Sequence, residues 1–264
     1  MKNNPVVCGI EITHPNRIIY SKDKITKLDV VKYYEKIYNK LIPYLKNRLV
    51  SEIRCFGSTS GEKFYKKHPQ KNSIVERYYL NNRKNPQNEY FYINTKKQLI
   101  SEVQLGAVEF HIWNCKVDNI NNPDFMIFDL DPDENLALEK VKEGVRYLKK
   151  TLNKLNLKSI LKTSGGKGYH ILVKIEGLNT KKVEKLSKEI AIFLEQTHPE
   201  LFVTNMSKDK RKGKIFIDYL RNKKGATCVA PFSLRIRENA PVSIIIPYSK
   251  LENTSPSQFT IKDF

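Results

Sequence analysis

The sequence predicts an α/β fold, and three observations carry that reading. Apolar residues recur at helical spacing in three stretches: Val31, Tyr34, Ile37, Tyr38, Leu41 and Leu45; Val141, Val145, Leu148, Leu152 and Leu155; and Val183, Leu186, Ile190, Phe193 and Leu194. Between these stripes lie short apolar or alternating runs of strand length, at 108–113, 125–130, 159–163, 171–175 and 215–220. A glycine cluster, Gly165, Gly166 and Gly168, separates two of those runs, which is the pattern of strand, turn, strand.

In chain order, the first helix has a start signal. Thr26 and Asp29 have the spacing of a capping pair, which makes Thr26 the N-cap and puts Lys27 in the first turn. The helix dipole does not favour a cation there. A lysine at that end is therefore either an ordinary solvated one or part of an anion site, since helix N-termini attract phosphate. Arg54 precedes a Gly/Ser loop at 57–61, followed by Phe64-Tyr65-Lys66-Lys67-His68. Aromatics beside lysines suit a nucleic-acid strand, rings on bases and ammoniums on phosphates. The same residues also suit a strand alternating between core and surface. Residues 83–94 are polar and read as a surface loop. A short helix is expected over 99–107, then a strand over 108–113 that puts Glu109 and His111 on one face.

Composition narrows the partners. A formal charge of +19 and a pI near 9.6, spread along the chain, favour a polyanion: nucleic acid first, anionic membrane second. The four cysteines, Cys8, Cys55, Cys115 and Cys228, lack CxxC spacing, so a zinc ribbon is not expected and reduced thiols are. No signal-peptide pattern and no bilayer-length apolar run are present. The expectation is a cytoplasmic, nucleoid-associated protein with no membrane partner. It is expected to be a single domain over 1–264, with an N-terminal lobe at 1–105 and a catalytic lobe at 106–264.

The chemistry centres on Phe128-Asp129-Leu130-Asp131-Pro132. In a strand, Asp129 and Asp131 project from one face while Leu130 packs behind. Paired carboxylates repel unless a cation lies between them, and oxygen donors suit magnesium or manganese. Two solvated acids at a strand end are the alternative. Asp218 lies within a core-like run, where an unpaired carboxylate is costly and a shared metal would satisfy it. Ser164, Lys167 and His170 surround the glycine turn, which lacks the spacing of a Walker A loop. The basic loop at 205–214, with Arg211, could clamp a phosphate backbone. Arg235 and Arg237 are expected on one strand face, suited to a multiply charged phosphate. Three acids, a Ser/Lys/His turn and paired arginines form the inventory for nucleotidyl transfer with two metals.

These motifs resemble the polymerase domain of bacterial ligase D, a branch of the archaeo-eukaryotic primase superfamily. The likeness runs from about Thr13 to Pro247. It rests on FDLDP at 128–132, KTSGGKGYH at 162–170, IDYLRN at 217–222 and APFSLRIRENAPVS at 230–243. The resemblance implies a primase-like fold of mostly antiparallel sheets flanked by helices. It implies that Asp129, Asp131 and Asp218 are the catalytic metal ligands for two Mg²⁺ or Mn²⁺ ions. It assigns His111, Ser164, Lys167, His170, Arg235 and Arg237 to the incoming NTP or dNTP. His14, Arg17 and Lys27 correspond to a pocket for a downstream 5′-phosphate; arginine stands at 17 where lysine is common, and histidine at 14 where asparagine is. Phe64 and Lys67 match a segment near the template, and the loops at 83–94 and 205–214 match DNA-engaging loops. Arg54, Phe64, Lys67 and Arg211 are thus the expected DNA contacts.

The implied task is gap filling, extension of 3′ ends and untemplated addition at DNA breaks in nonhomologous end joining, with a preference for ribonucleotides. The implied partners are gapped or broken DNA bearing a 5′-phosphate, Ku and a ligase. The length leaves no room for a ligase domain, so the ligase is expected to be a separate polypeptide. Two rivals share features. A replicative primase uses the same metal site. A haloacid dehalogenase-like phosphatase also has DxD after an apolar strand, but it needs a later acidic pair that is not found here.

Overall fold

The computed structural model of the chain describes residues 4–55, 57, 61–82 and 84–264. The chain divides into two compact units, each of which gathers separate stretches of sequence. The first comprises Met1–Trp113, Val229–Ser243 and Phe259–Phe264; the second comprises Asn114–Cys228 and Ile244–Gln258. This differs from the expected division at 105/106: His111, Arg235 and Arg237 belong to the first unit.

In the first unit, helix α1 (Lys27–Leu45) starts with the capping box read from the sequence, Thr26 accepting from the Asp29 N–H and Asp29 from the Thr26 N–H. Its stripe Val31, Tyr34, Ile37, Leu41 and Leu45 is buried. The core it joins includes Leu99 and Ile100 of α2 (Lys96–Gln104) and Phe110 of the strand Ala107–Ile112. That strand pairs antiparallel with Val50–Cys55, which pairs with the edge strand Lys63–Lys66. The later segment is tied in through tyrosines. Tyr34 Oη donates to the Val108 carbonyl at 2.5 Å and accepts from the Leu234 N–H at 3.0 Å; Tyr33 Oη donates to the Phe232 carbonyl at 2.8 Å.

Two expectations change here. The polar stretch 83–94 contains a strand, Glu89–Tyr92, that forms a hairpin with Glu76–Tyr79. Tyrosines at 78, 90 and 92 favour pairing despite the polar composition. Arg235 and Arg237 are not on a strand: only an isolated bridge, Leu234↔Val242, forms there, and the chain then turns.

The second unit is built on six strands in the order Phe202–Val203, Ile215–Asp218, Phe125–Pro132, Tyr169–Lys174, Ser159–Thr163, Ile245–Ile246. Every pair is antiparallel except the first. Helices α3 (Leu138–Lys154) and α4 (Thr180–Thr197) pack against Phe125–Pro132 and against each other. Leu155 and Phe193, counted on the sequence stripes, are half exposed because α3 ends at Lys154 and Phe193 lies at the edge of the buried face. The α/β class with mostly antiparallel sheets is as the sequence predicts.

Candidate active site

Strand alternation sets up the acidic centre. Met126, Phe128 and Leu130 are buried, while Asp129 is half-buried and Asp131 exposed. Sheet register does the rest. Asp129 has His170 as its Cα partner on one side and Asp218 on the other, and His170 is in turn opposite Lys162. Lys162, His170, Asp129 and Asp218 thus form a row across four adjacent strands.

Two arginines offset the carboxylates. Arg221 Nε lies 3.0 Å from Asp218 Oδ2 and 3.5 Å from Asp129 Oδ2. Arg211 Nη1 lies 3.3 Å from Asp131 Oδ2, with its guanidinium 3.7 Å from the centre of the Phe216 ring. Arg211 was expected to reach DNA phosphates; it turns inward, stacked on Phe216 and bonded to Asp131 and the Met206 carbonyl. Charge follows from these positions. Burial opposes ionisation of Asp129, but the His170 ring, Arg221 and Lys162 outweigh it and hold the carboxyl well below its usual range. Asp131 and Asp218 are pushed up, first by burial and then by the charge of Asp129, against the pull of the arginines.

The donor set fits a hard divalent cation: three carboxylates on neighbouring strand positions, two of them with raised proton affinity for want of positive charge. Among the described residues no three Asp, Glu, His or Cys side chains are gathered as a metal-binding group, because the carboxylates are turned to the arginines. The Arg221 contact is a poor substitute, since its buried Nε makes no aligned hydrogen bond to either acid.

The glycine turn packs beside this centre. A Cβ on Gly168 would lie 1.8 Å from the Leu130 carbonyl oxygen, so the close approach that glycine permits is to the acidic strand itself. Gly165 takes φ +66°. Ser164 is buried, and its Oγ accepts from the Gly166 N–H at 3.0 Å, shaping the turn. Lys167 is half exposed and pairs with Glu134.

The first unit carries two further clusters. In one, Glu109 is the hub: His111 Nε2 lies 2.9 Å from Oε2, Arg235 Nε donates to the same oxygen at 2.9 Å, and the Ile236 N–H donates to Oε1 at 2.6 Å. Burial raises the Glu109 carboxyl, but His111 and Arg235 prevail and hold it at about 2. Arg237 is exposed.

In the other, the turn at 13–17 folds over the start of α1. Lys27 is buried and donates from Nζ to the Thr13 carbonyl at 2.9 Å. The Lys27 and Leu28 N–H groups donate to the carbonyls of Arg17 and Pro15, and the Asp29 N–H to Thr26. The helix N-terminus therefore has its first donors engaged, and any anion here is left to side chains. Arg17 Nε is buried without a hydrogen bond, and His14 is exposed with φ 52°. His14, Arg17 and Lys27 are brought together as expected.

Among the expected DNA contacts, Phe64 and Lys67 are exposed at the edge of the sheet, as is Tyr65. Arg54 corrects the expectation. It is fully buried, donating to Glu52 Oε1 from Nε at 2.8 Å and to Glu102 Oε2 from Nη2 at 2.7 Å, so no phosphate reaches it. The loop at 57–61 falls largely outside the described residues, as does Arg83. Sequence reasoning missed Arg221, Lys162 and Glu109. Their signals were present: Arg221 lies three residues after Asp218, Lys162 opens the KTSGGKGYH motif, and Glu109 shares a strand face with His111.

Comparison with known proteins agrees with this geometry. Residues 26–264 match the family described as LigD, primase-polymerase domain. The multifunctional non-homologous end joining protein LigD of Pseudomonas aeruginosa is 34% identical over 247 residues, 93% of this chain and 29% of that protein. The bifunctional LigD of Bacillus subtilis is 26% identical over 264 residues, 98% of this chain and 42% of that protein. The chain thus spans well under half the length of these relatives. The polymerase domain from Mycobacterium tuberculosis ligase D, solved in complex with DNA, has the same fold: TM-score 0.88 at 24% identity, over 96% of this chain and 92% of that one. The chain therefore belongs to the LigD primase-polymerase domain family.

Proposed function

We propose that this chain is a metal-dependent nucleotidyltransferase that fills gaps and extends 3′ ends at 5′-phosphorylated DNA breaks in nonhomologous end joining. The observation that carries this reading is the register placing Asp218 and His170 on either side of Asp129, with Asp131 two residues on. Asp129, Asp131 and Asp218 are the residues that would hold two Mg²⁺ or Mn²⁺ ions. When bound, such ions lower the pKa of a primer 3′-hydroxyl and offset charge on the pyrophosphate leaving group.

The remaining roles belong to the chain's own residues. Lys167, half exposed beside the glycine turn, is placed to meet a triphosphate once it leaves Glu134. Glu109 orients Arg235 and His111, which with Arg237 are assigned to the incoming nucleotide. Lys27, Arg17 and His14 are assigned to the 5′-phosphate. Phe64 and Lys67 offer a ring and a charge to the template. The net charge of +19 supports a DNA partner, and Ku and a DNA ligase are the protein partners this task requires.

Primer extension on one-nucleotide gaps, with and without a 5′-phosphate and with NTPs against dNTPs, tests the reading. Mg²⁺- or Mn²⁺-dependent extension, faster with the 5′-phosphate and with NTPs, is expected. Full activity in an Asp129→Ala/Asp131→Ala variant would overturn it.

A further inference from the structure

We propose that Lys162 and Cys228 are positioning residues that hold the His170 ring with its Nε2–H aimed at Asp129, fixing that carboxylate for a divalent cation. The proposal rests on the reading of Asp129 as a metal ligand.

The geometry runs inward from the acids. His170 Nε2 lies 3.2 Å from Asp129 Oδ1. On the far side of the ring, His170 Nδ1 lies 2.8 Å from Lys162 Nζ and 3.0 Å from Cys228 Sγ. Lys162 is fully buried, and His170 and Cys228 nearly so. An ammonium has only donors, and a ring nitrogen carrying hydrogen cannot accept. Nδ1 at hydrogen-bond distance from Lys162 therefore holds the lone pair, and the ring proton sits on Nε2. That proton binds Asp129 Oδ1, leaving Oδ2 as the oxygen presented on the Arg221 side, next to Asp218.

The register explains why the contact is made by these residues. Lys162 is the Cα partner of His170, as His170 is of Asp129, so one side chain from each of three adjacent strands meets the next. Cys228 closes the remaining side of Nδ1 and opposes rotation of the ring. Groups that orient a metal ligand through a histidine are known to set metal affinity as strongly as some ligands do. On this arrangement His170 acts through Asp129 rather than on the nucleotide.

Histidine ¹⁵N NMR on the wild-type chain, with His170 assigned by loss of its signals in His170→Gln, reads the tautomer directly. The expected ring is neutral, with hydrogen on Nε2. An Nδ1–H ring or an imidazolium would overturn the proposal without recourse to any Lys162 variant. Lys162→Met is expected to mix the tautomers and to weaken Mn²⁺ binding, read by calorimetry without nucleotide, by about 10–100-fold. Lys162→Arg should recover part of that loss, which a merely space-filling lysine would not show. Cys228→Ala should weaken Mn²⁺ binding by less than Lys162→Met. Unchanged Mn²⁺ affinity in both Lys162→Met and Cys228→Ala would overturn the positioning role. A wild-type chain with the Nε2–H ring that binds no Mn²⁺ would instead overturn the metal reading of Asp129.

Discussion

Asp129 and Asp218 face each other as Cα partners on adjacent antiparallel strands, with Arg221 between their carboxylates. Like charges directly opposite on a sheet destabilise it by about 0.2–1 kcal/mol. Asp218 also has its proton affinity raised by burial and by Asp129. Asp218→Asn should therefore raise the melting temperature of the metal-free chain by the equivalent of about 0.5 kcal/mol. It should also lower primer extension at least about 100-fold, since a ligand outranks the outer groups whose loss costs that much. Calorimetry and an extension assay on one preparation check both. A lower melting temperature would mean that the Arg221 pairing outweighs the repulsion.

Lys27 should give 5′-phosphate recognition an alkaline limit. Burial, and secondarily the charge of Arg17, lowers its ammonium to about 8. The sign is that of a depressed lysine. The cationic form, which an anion needs, is complete below pH 8 and is lost as pH rises through it. A phosphomonoester is already a dianion there. The extra affinity for a 5′-phosphorylated over a 5′-hydroxyl gap should thus hold at pH 7 and decline above 8, the midpoint lying higher because the bound phosphate favours the charged lysine. Lys27→Arg should flatten the decline, because arginine does not titrate in this range. Fluorescence anisotropy on the two DNAs across pH 7–9.5 reads the difference. A constant difference across that range would remove Lys27 from the site.

Arg54 and Lys67 should separate stability from DNA binding. Arg54 sits between Glu52 and Glu102 with no exposure, and Glu52 is pushed up first by burial and then by Glu102. Removing the guanidinium leaves two buried acids without their cation. Arg54→Met should cost about 3–5 kcal/mol in urea unfolding. Lys67→Ala, at an exposed position, should shift stability by no more than about 0.5 kcal/mol. It should weaken DNA binding several-fold and reduce its salt dependence. The reverse pattern would restore Arg54 as a DNA contact.

The contrast between these two residues shows what was legible in the sequence. Periodicity located the helices, the capping box at Thr26 and Asp29, and the shared face of Asp129 and Asp131, because each depends on local spacing. Arg54 looked like Lys67 on the page, a cation near aromatics; its burial depends on Glu102, nearly fifty residues away, and on cross-strand pairing that no local pattern encodes. The same holds for the row Lys162, His170, Asp129, Asp218: each residue type was visible, but register between strands brought them side by side. Arg235 and Arg237 were read as a strand pair because their spacing is two, whereas the chain turns there and Glu109 fixes Arg235.

Gly168 should be the least tolerant glycine of its turn, and for a reason that reaches the acids. A methyl group there would meet the Leu130 carbonyl oxygen at 1.8 Å and Pro132 Cδ at 3.0 Å. Neither atom is the end of a flexible side chain, so the two backbones must separate. Over-packing of this kind costs about 1–3 kcal/mol or more. Leu130 lies between Asp129 and Asp131, and Gly168 lies two residues before His170, so the displacement also loosens the His170–Asp129 contact. Gly165→Ala is the control: its φ of +66° imposes a local strain of about 1–2 kcal/mol, with no clash against the acidic strand. The two variants should therefore lose comparable stability by denaturant unfolding, whereas kcat for primer extension should fall at least about tenfold only in Gly168→Ala. Equal loss of kcat in both would mean that the turn matters for its own conformation rather than for its seat on Leu130.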